Sequence, residues 1–227
     1  MPRSAQRFAL APSRLILRPV RTLFIGVAGG TGSGKTTIAK ALLEGLPRSR
    51  CVLVQYDSYY RDHPELDYEG RSGLNYDHPS SLETELMVAH IDALKDSKSI
   101  EMPQYDFANH RRKPETLRVE PAPVVIVEGI LVLAEPTIRE RLDVKLYVDT
   151  APDIRLMRRI RRDIEVRGRT FTQIRKQYYE TVRPMHLAFV EPSKAFADVI
   201  IPEGGENQVA IDMVLAKVLH WLQRLGV

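Results

Sequence analysis

Short apolar runs alternate along the chain with longer segments in which apolar residues recur at helical spacing. The runs predict buried strands at 23–28, 51–55, 124–127, 144–148 and 198–201. The longer segments predict helices over 36–46, 81–94, 152–166 and 207–225, whereas 59–75 and 103–121 look irregular. This alternation predicts an α/β fold in which helices wrap a parallel sheet.

The composition is that of a soluble protein, with 44% hydrophobic and 27% charged residues. No apolar stretch approaches the ~20 residues that a membrane span needs, so we expect neither a membrane protein nor a membrane partner. The single cysteine, Cys51, lies in a predicted strand and cannot form an internal disulfide. A reducing compartment suits it, so we expect a cytoplasmic location.

The formal net charge of +4 is unevenly distributed. Residues 1–21 contain five arginines and no acid, which leaves 4 − 5 = −1 for the rest. The positive balance therefore does not indicate a nucleic-acid partner. We interpret 1–21 as a basic, disordered extension, with an organelle-targeting presequence as the alternative. We expect 22–227 to form one domain.

A glycine-rich segment after the first predicted strand fits the phosphate-binding pattern GxxxxGK[ST]. Glycines let backbone N–H groups converge on phosphate oxygens, and the following helix points its positive end at the same anion. The lysine and the following threonine suit the outer phosphates and Mg²⁺. We therefore predict an ATP site with magnesium, formed by Gly29, Gly30, Thr31, Gly32, Ser33, Gly34, Lys35, Thr36 and Thr37.

Two acids follow predicted strands, where the carboxyl ends of a parallel sheet face its ligand crevice. Asp57 could accept a proton from an attacking hydroxyl or help to hold a metal; a capping aspartate is the alternative. Glu128 could orient Mg²⁺ or its water, and a loop glutamate is the alternative. We predict metal binding by Thr36, Asp57 and Glu128.

Further segments follow in a fixed order: 57–60 (Asp-Ser-Tyr-Tyr), 75–79 (Asn-Tyr-Asp-His-Pro), 104–107 with His110, 128–129, an arginine-rich stretch at 158–169, and 198–202. Together with the phosphate-binding loop, this order resembles the uridine-cytidine kinases of the phosphoribulokinase/uridine kinase family of P-loop proteins. The resemblance extends from about residue 22 to the C-terminus. It implies a P-loop nucleoside kinase domain with an arginine-rich lid at about 153–176, and a homo-tetramer.

The resemblance also implies roles for particular residues. Asp57 would be the general base for the nucleoside 5′-hydroxyl, and Asp77 would bind the ribose hydroxyls. Lys35, Arg162 and Arg167 would act on the phosphates during catalysis. The other nucleoside-binding residues would be Tyr60, Tyr76, Tyr105, Phe107, His110, Arg159, Arg169 and Gln177. Without the resemblance, the arginines would read as a solvated helix, His110 as a loop residue and the aromatic residues as core.

These observations predict an enzyme that phosphorylates uridine or cytidine at the 5′-hydroxyl, with ATP or alternatively GTP as donor. Another small-molecule kinase of the superfamily, of the phosphoribulokinase or pantothenate kinase type, is one alternative. A nucleotide-binding regulator without catalysis is another. The preference between uridine and cytidine is left open.

Overall fold

The computed structural model describes residues 22–224. Its centre is a parallel sheet of five strands: β1 (Leu23–Gly29), β2 (Cys51–Gln55), β5 (Val124–Glu128), β6 (Val144–Asp149) and β7 (Val199–Pro202). Their order across the sheet is β2-β5-β1-β6-β7. All five strands were predicted from the sequence, each within one residue at either end. The predicted α/β fold, a parallel sheet wrapped by helices, is confirmed.

The central strands are buried along their whole length, which explains why they read as continuous apolar runs. Every residue of β1 and β5 is buried, and their register pairs Phe24 with Val125 and Ile25 with Ile126. Successive side chains point to opposite faces, so Phe24 and Ile25 belong to two separate hydrophobic clusters. The sheet therefore has a core on each face.

Helices cover both faces of the sheet. On one face, the helix after the phosphate-binding loop and the C-terminal helix (Gln208–Arg224) pack through residues such as Leu42 and Leu222. On the other face, the helix after the second strand packs through Met87 and Ile91. Up to residue 177 the α-helices are α1 (Lys35–Gly45), which follows the phosphate-binding loop, α2 (Tyr68–Ser72), α3 (Thr84–Lys95), which contains Met87 and Ile91, α4 (Pro136–Arg139), α5 (Pro152–Glu165) and α6 (Phe171–Gln177).

The prediction that 103–121 is irregular was wrong. Most of this stretch belongs to an antiparallel hairpin formed by β3 (Ile100–Asp106) and β4 (Arg111–Val119). Two features hid it: β4 is mostly exposed and polar, and Pro103 lies where the register shifts. The hairpin also rests on distant partners, because Arg112 Nη1 lies 2.6 Å from Glu83 Oε2. The other stretch, 59–75, is irregular apart from α2.

A helical segment follows α6, from Tyr178 to Phe196, and has no counterpart among the predicted elements. It contains wide π-turns at Tyr178–Val182 and His186–Val190. Pro184 and Pro192 lie just after these turns. Proline lacks an N–H donor, so local widening lets the helix continue past it. Such a segment has no regular apolar spacing to detect.

Two expectations fall outside the described residues: the disordered extension at 1–21 and the last residue of the helix predicted over 207–225. Within residues 22–224, no helix combines the length and the apolar character needed to cross a bilayer.

Candidate functional site

The phosphate-binding loop connects β1 to α1 at the carboxyl edge of the sheet. Gly32 and Gly34 have φ angles of 76° and 93°, in the left-handed region that favours glycine. A Cβ at Gly34 would also lie 2.7 Å from the backbone nitrogen of Gly205. The sequence therefore needs glycine here for both conformation and close approach. The loop leads directly into α1, whose first residue is Lys35.

A charged cluster lies beneath this loop, where β5 ends beside β1. Glu128 is 2% exposed; its Oε1 lies 3.6 Å from Lys35 Nζ and accepts a hydrogen bond of 3.2 Å from Thr36 Oγ1. Burial raises the pKa of the Glu128 carboxyl, while Lys35 acts in the opposite direction. Among the described residues, no group of three or more His, Cys, Asp or Glu side chains could hold a metal. Mg²⁺ commonly takes one or two carboxylates together with nucleotide phosphates, and this cluster fits that requirement.

Asp57 follows β2 in a short 3-10 turn (Tyr56–Tyr59). Its Oδ1 is buried and has no hydrogen-bond partner within residues 22–224. A buried carboxylate oxygen without a donor is costly unless a ligand supplies one. Asp57 is therefore placed to receive a proton or a metal-bound water.

One cavity brings together thirteen of the predicted catalytic and nucleoside-binding residues. Thr31 and Ile130 complete its lining. The predicted residues that line it are Lys35, Asp57, Tyr60, Tyr76, Asp77, Tyr105, Phe107, His110, Arg159, Arg162, Arg167, Arg169 and Gln177. They come from four regions: the edge of the parallel sheet, the loop after β2, the hairpin, and the lid with the end of α6. We call this the acceptor cavity.

A second cavity opens on the other side of the loop, which we call the donor cavity. The residues that line it are Gly32, Gly34, Lys35, Thr36, Thr37, Arg158, Arg162, Gly205 and Glu206. Lys35 and Arg162 line both cavities and so mark the boundary between them. A phosphoryl group passing from donor to acceptor would cross this boundary.

Some predicted nucleotide-binding residues line neither cavity. Gly29 closes β1, Ser33 is fully buried, and a Cβ on Gly30 would collide with Arg155. These residues therefore contribute to the conformation and packing of the loop and do not line the cavities. Thr31 faces the acceptor cavity, where its hydroxyl accepts a 3.2 Å hydrogen bond from Arg159 Nη1.

Aromatic rings form the far end of the acceptor cavity. Tyr60 meets Tyr76 edge-on with a centroid separation of 5.3 Å, and Tyr105 meets Phe107 at the same distance. Tyr76 stacks on His110 at 4.8 Å and 20°. These contacts join the loop after β2 to the hairpin.

His110 is buried, and its backbone lies in the left-handed region at φ 53°. Burial and then Arg169 lower the pKa of its imidazole to about 4. The ring is therefore neutral at pH 7. Arg169 Nη2 lies 3.2 Å from Nε2, and because a guanidinium only donates, Nε2 accepts and Nδ1 carries the proton.

Asp77 is buried at the side of the same cavity. Burial raises the pKa of its carboxyl, and the Arg159 guanidinium acts against that rise. The backbone N–H of Asp77 donates to Asn75 Oδ1 at 3.2 Å, which fixes the turn that presents the side chain.

Residues 24–210 match the sequence profile of the phosphoribulokinase / uridine kinase family. The chain belongs to this family. A protein named uridine kinase from Alkaliphilus metalliredigens is 52% identical over 203 residues, covering 89% of this chain and 98% of the relative. Another so named, from Clostridium botulinum, is 50% identical over 204 residues, covering 90% and 99%.

A solved structure of phosphoribulokinase from Rhodobacter spheroides has the same fold. Its TM-score is 0.58 at 12% identity, with 80% of this chain and 70% of that chain covered. At this identity the likeness concerns the fold alone. The fold of this phosphoribulokinase / uridine kinase family member therefore agrees with its sequence assignment.

Four residues of the two cavities, Ile130, Arg158, Gly205 and Glu206, were missed from the sequence of this family member. Ile130 lies just after the Glu128-Gly129 pair, and the apolar sequence around it gave no sign of a site. Arg158 and Glu206 line the donor cavity and form an ion pair of 2.9 Å. They are 48 residues apart, so only the arginine-rich composition of the lid pointed towards either of them.

Proposed function

We propose that this chain is a kinase that transfers the terminal phosphoryl group of ATP to the 5′-hydroxyl of uridine or cytidine. The observation that carries the proposal is the acceptor cavity, which joins Lys35 and Asp57 at one end to aromatic rings and His110 at the other. Relatives about 50% identical over nearly their whole length are named uridine kinase, which supports the choice of acceptor.

In the proposed reaction, the nucleoside 5′-oxygen attacks the terminal phosphorus of ATP. A P–O bond forms between the acceptor oxygen and the γ phosphorus. The bond from the γ phosphorus to the oxygen that bridges it to the β phosphorus breaks, and ADP leaves. The proton of the 5′-hydroxyl passes to Oδ1 of Asp57, which has no hydrogen-bond partner in the described part of the chain. Lys35 and Arg162, at the boundary of both cavities, stabilise the negative charge on the transferring group.

Thr36 and Glu128, with Asp57 directly or through water, would hold the Mg²⁺ that accompanies the triphosphate. Bound there, the ion would neutralise charge on the β and γ phosphates. The contact between Thr36 and Glu128 supports this assignment because it places a hydroxyl and a carboxylate together at the start of α1.

Recognition of the nucleoside would divide between its sugar and its base. A carboxylate accepts two hydrogen bonds, so Asp77 suits the 2′- and 3′-hydroxyls of ribose. Tyr76 and Phe107 offer faces to the pyrimidine, with Tyr60 beside them. Tyr105, His110, Arg169 and Gln177 would contact its edge, and Arg159 the nucleoside near Asp77. The Arg167 guanidinium lies over the Phe107 ring at 4.9 Å, and from there it would reach towards the transferring phosphoryl group.

Alternative acceptors fit this cavity less well. Aromatic rings bind a planar base by stacking. The sugar phosphate or extended acid of the phosphoribulokinase or pantothenate kinase type has no planar ring to stack on them. A regulator without catalysis does not need a proton acceptor such as Asp57 in the same cavity as Lys35. Both alternatives are outcomes of the test below.

The test is ADP release from magnesium-ATP with uridine, cytidine, 2′-deoxyuridine, adenosine, ribulose 5-phosphate and pantothenate as acceptors. We expect turnover with uridine or cytidine and a 5′-monophosphate product. Asp57→Asn should lower kcat by about 10²- to 10⁴-fold, the usual contribution of a general base. Turnover with ribulose 5-phosphate or pantothenate alone would discard the pyrimidine cavity. ATP binding without turnover of any acceptor would favour the regulator.

Comparing ATP with GTP in the same assay would establish the donor. A homo-tetramer, a cytoplasmic location and the absence of nucleic-acid or membrane partners remain expectations. Light scattering after gel filtration tests the first of these.

A further inference from the structure

Asp163 is a fully buried acid on α5 to which the proposed reaction assigns no role. Its Oδ1 accepts hydrogen bonds from Arg162 Nε and Nη2 at 2.9 and 2.8 Å, and lies 3.3 Å from Arg167 Nη1. Its Oδ2 lies 3.5 Å from Arg169 Nη1 and 3.6 Å from Arg159 Nε. One carboxylate therefore contacts four guanidinium groups.

The local sequence folds so that these four arginines converge. Arg159 and Arg167 stand four residues before and after Asp163, and α5 ends between Asp163 and Arg167, at Glu165. Gly168, at φ 66°, then reverses the chain. The backbone N–H of Arg169 donates to the carbonyl oxygen of Asp163 at 3.0 Å. Both the side chain and the backbone of Asp163 thus hold the returning segment.

All four arginines line the acceptor cavity, and Arg162 lines the donor cavity as well. Asp163 is not among the residues that line either cavity. It therefore acts on bound molecules only through the guanidinium groups that surround it. Through Arg162, Asp163 affects the boundary between the two cavities, which the phosphoryl group must cross.

The charges explain why one acid is needed here. These four guanidinium groups and the Asp163 carboxylate sum to a charge of 4 − 1 = +3, and Asp77 is a second acid that faces Arg159. Burial acts to raise the pKa of Asp163, but Arg159, Arg162 and Arg167 outweigh it and leave the pKa low, so the carboxylate is ionised. Burial and then Arg162 lower the pKa of Arg167 to about 10. Without the carboxylate, these neighbouring like charges, of which Arg159 is buried, would repel one another and separate.

We propose that Asp163 is a positioning residue that holds Arg159, Arg162, Arg167 and Arg169 in place around the transferring phosphoryl group and the acceptor. This proposal rests on the proposed kinase function. It differs from a simple counter-charge in the direction of its effect. Asp163→Asn makes the site more positive by one charge, so a counter-charge alone would let the variant bind ATP more tightly. A positioning residue would make it bind ATP more weakly.

The experiment compares the wild type, Asp163→Asn, Arg162→Ala and the double variant. Asp212→Asn makes the same chemical change at an exposed position of the C-terminal helix, outside the lid, and serves as the control. The measurements are kcat and KM for uridine, the dissociation constant of magnesium-ATP by calorimetry, and the melting temperature. We expect Asp163→Asn to lower kcat about 100-fold, because small misplacements of charge-stabilising groups have effects of this size. ATP should bind several-fold more weakly, and Asp212→Asn should match the wild type.

The double variant separates positioning from general stability. If Asp163 acts through Arg162, its loss should matter far less once Arg162 is absent, so the two effects on kcat should not add. Additive effects, or a kcat of Asp163→Asn within twofold of the wild type, would overturn the proposal. If the wild type turns over no nucleoside, the kinase proposal fails and ATP affinity alone decides. Unchanged or tighter binding by Asp163→Asn would then overturn the positioning role, and weaker binding would support it.

Discussion

The hydroxyl of Thr36 donates a hydrogen bond to the Glu128 carboxylate over 3.2 Å, at the point where β5 ends beside the start of α1. The two residues are 92 positions apart, yet this contact joins the phosphate-binding loop to the neighbouring strand. Lys35 approaches the same oxygen at 3.6 Å. A lysine, a hydroxyl and a carboxylate are thus gathered beneath the loop, where a metal-bound triphosphate would lie.

This relationship predicts the effect of Glu128→Gln, which keeps the shape of the side chain and removes its charge. We expect Mg²⁺ to bind about 10- to 100-fold more weakly, a range typical of altered metal-site contacts. The activity lost at low magnesium should return in part at high magnesium. A magnesium titration of kcat tests this. Glu44→Gln, at an exposed position of α1, is the control, and an unchanged titration curve for Glu128→Gln would remove Glu128 from the metal site.

Asp77→Asn should weaken the choice of ribose over deoxyribose. A buried acid matched to two hydroxyls discriminates against a substrate that lacks one, because a desolvated polar group is left without a partner. We expect the ratio of kcat/KM for uridine to that for 2′-deoxyuridine to fall at least tenfold, mainly through loss of uridine turnover. Asp212→Asn, on the exposed side of the C-terminal helix, should keep the wild-type ratio. An equal loss for both nucleosides would place Asp77 away from the sugar.

The sequence revealed the parts of the site that depend on neighbours along the chain. The phosphate-binding loop, Asp57 and Glu128 could be placed because each follows a continuous apolar strand, and parallel strands end at one edge. The hairpin could not be predicted, because its support comes from pairs such as Arg111 with Asp62, 49 residues apart. The arrangement around Asp163 was also hidden: composition shows that arginines are numerous but not that one buried acid gathers four of them.

His110 should make the folded protein sensitive to acid. Its pKa is lowered to about 4 in the folded state, by burial first and then by Arg169 and Arg167, whereas an exposed histidine has an ordinary value near 6.5. The folded state therefore keeps the ring neutral while the unfolded chain takes up a proton. This contribution to stability is fully present above pH 6.5 and is lost as pH falls towards 4. It amounts to about 3 kcal/mol once both states are protonated.

Urea unfolding of the wild type and His110→Gln at pH 7 and pH 4.5 measures this difference. Glutamine has no titrating group, so the variant should lose about 2 kcal/mol less than the wild type between the two pH values. The comparison cancels the carboxylates that titrate in both proteins. Parallel losses in the two proteins would mean that His110 is protonated in the folded state.

Gly34→Ala and Gly73→Ala should change stability in opposite directions. Gly34 has φ 93° and its Cβ would lie 2.7 Å from the Gly205 nitrogen, so alanine there should lower the free energy of unfolding by about 1–3 kcal/mol. Gly73 has φ −81°, and its Cβ would meet its nearest neighbours at 3.5 and 3.6 Å. Alanine there should be neutral or stabilise by up to about 1 kcal/mol, because it reduces the freedom of the unfolded chain.

Thermal and urea unfolding measure both changes. The backbone of the loop would have to move in Gly34→Ala, so that variant should also bind ATP more weakly. If Gly34→Ala binds ATP with wild-type affinity, the left-handed turn is dispensable for phosphate binding.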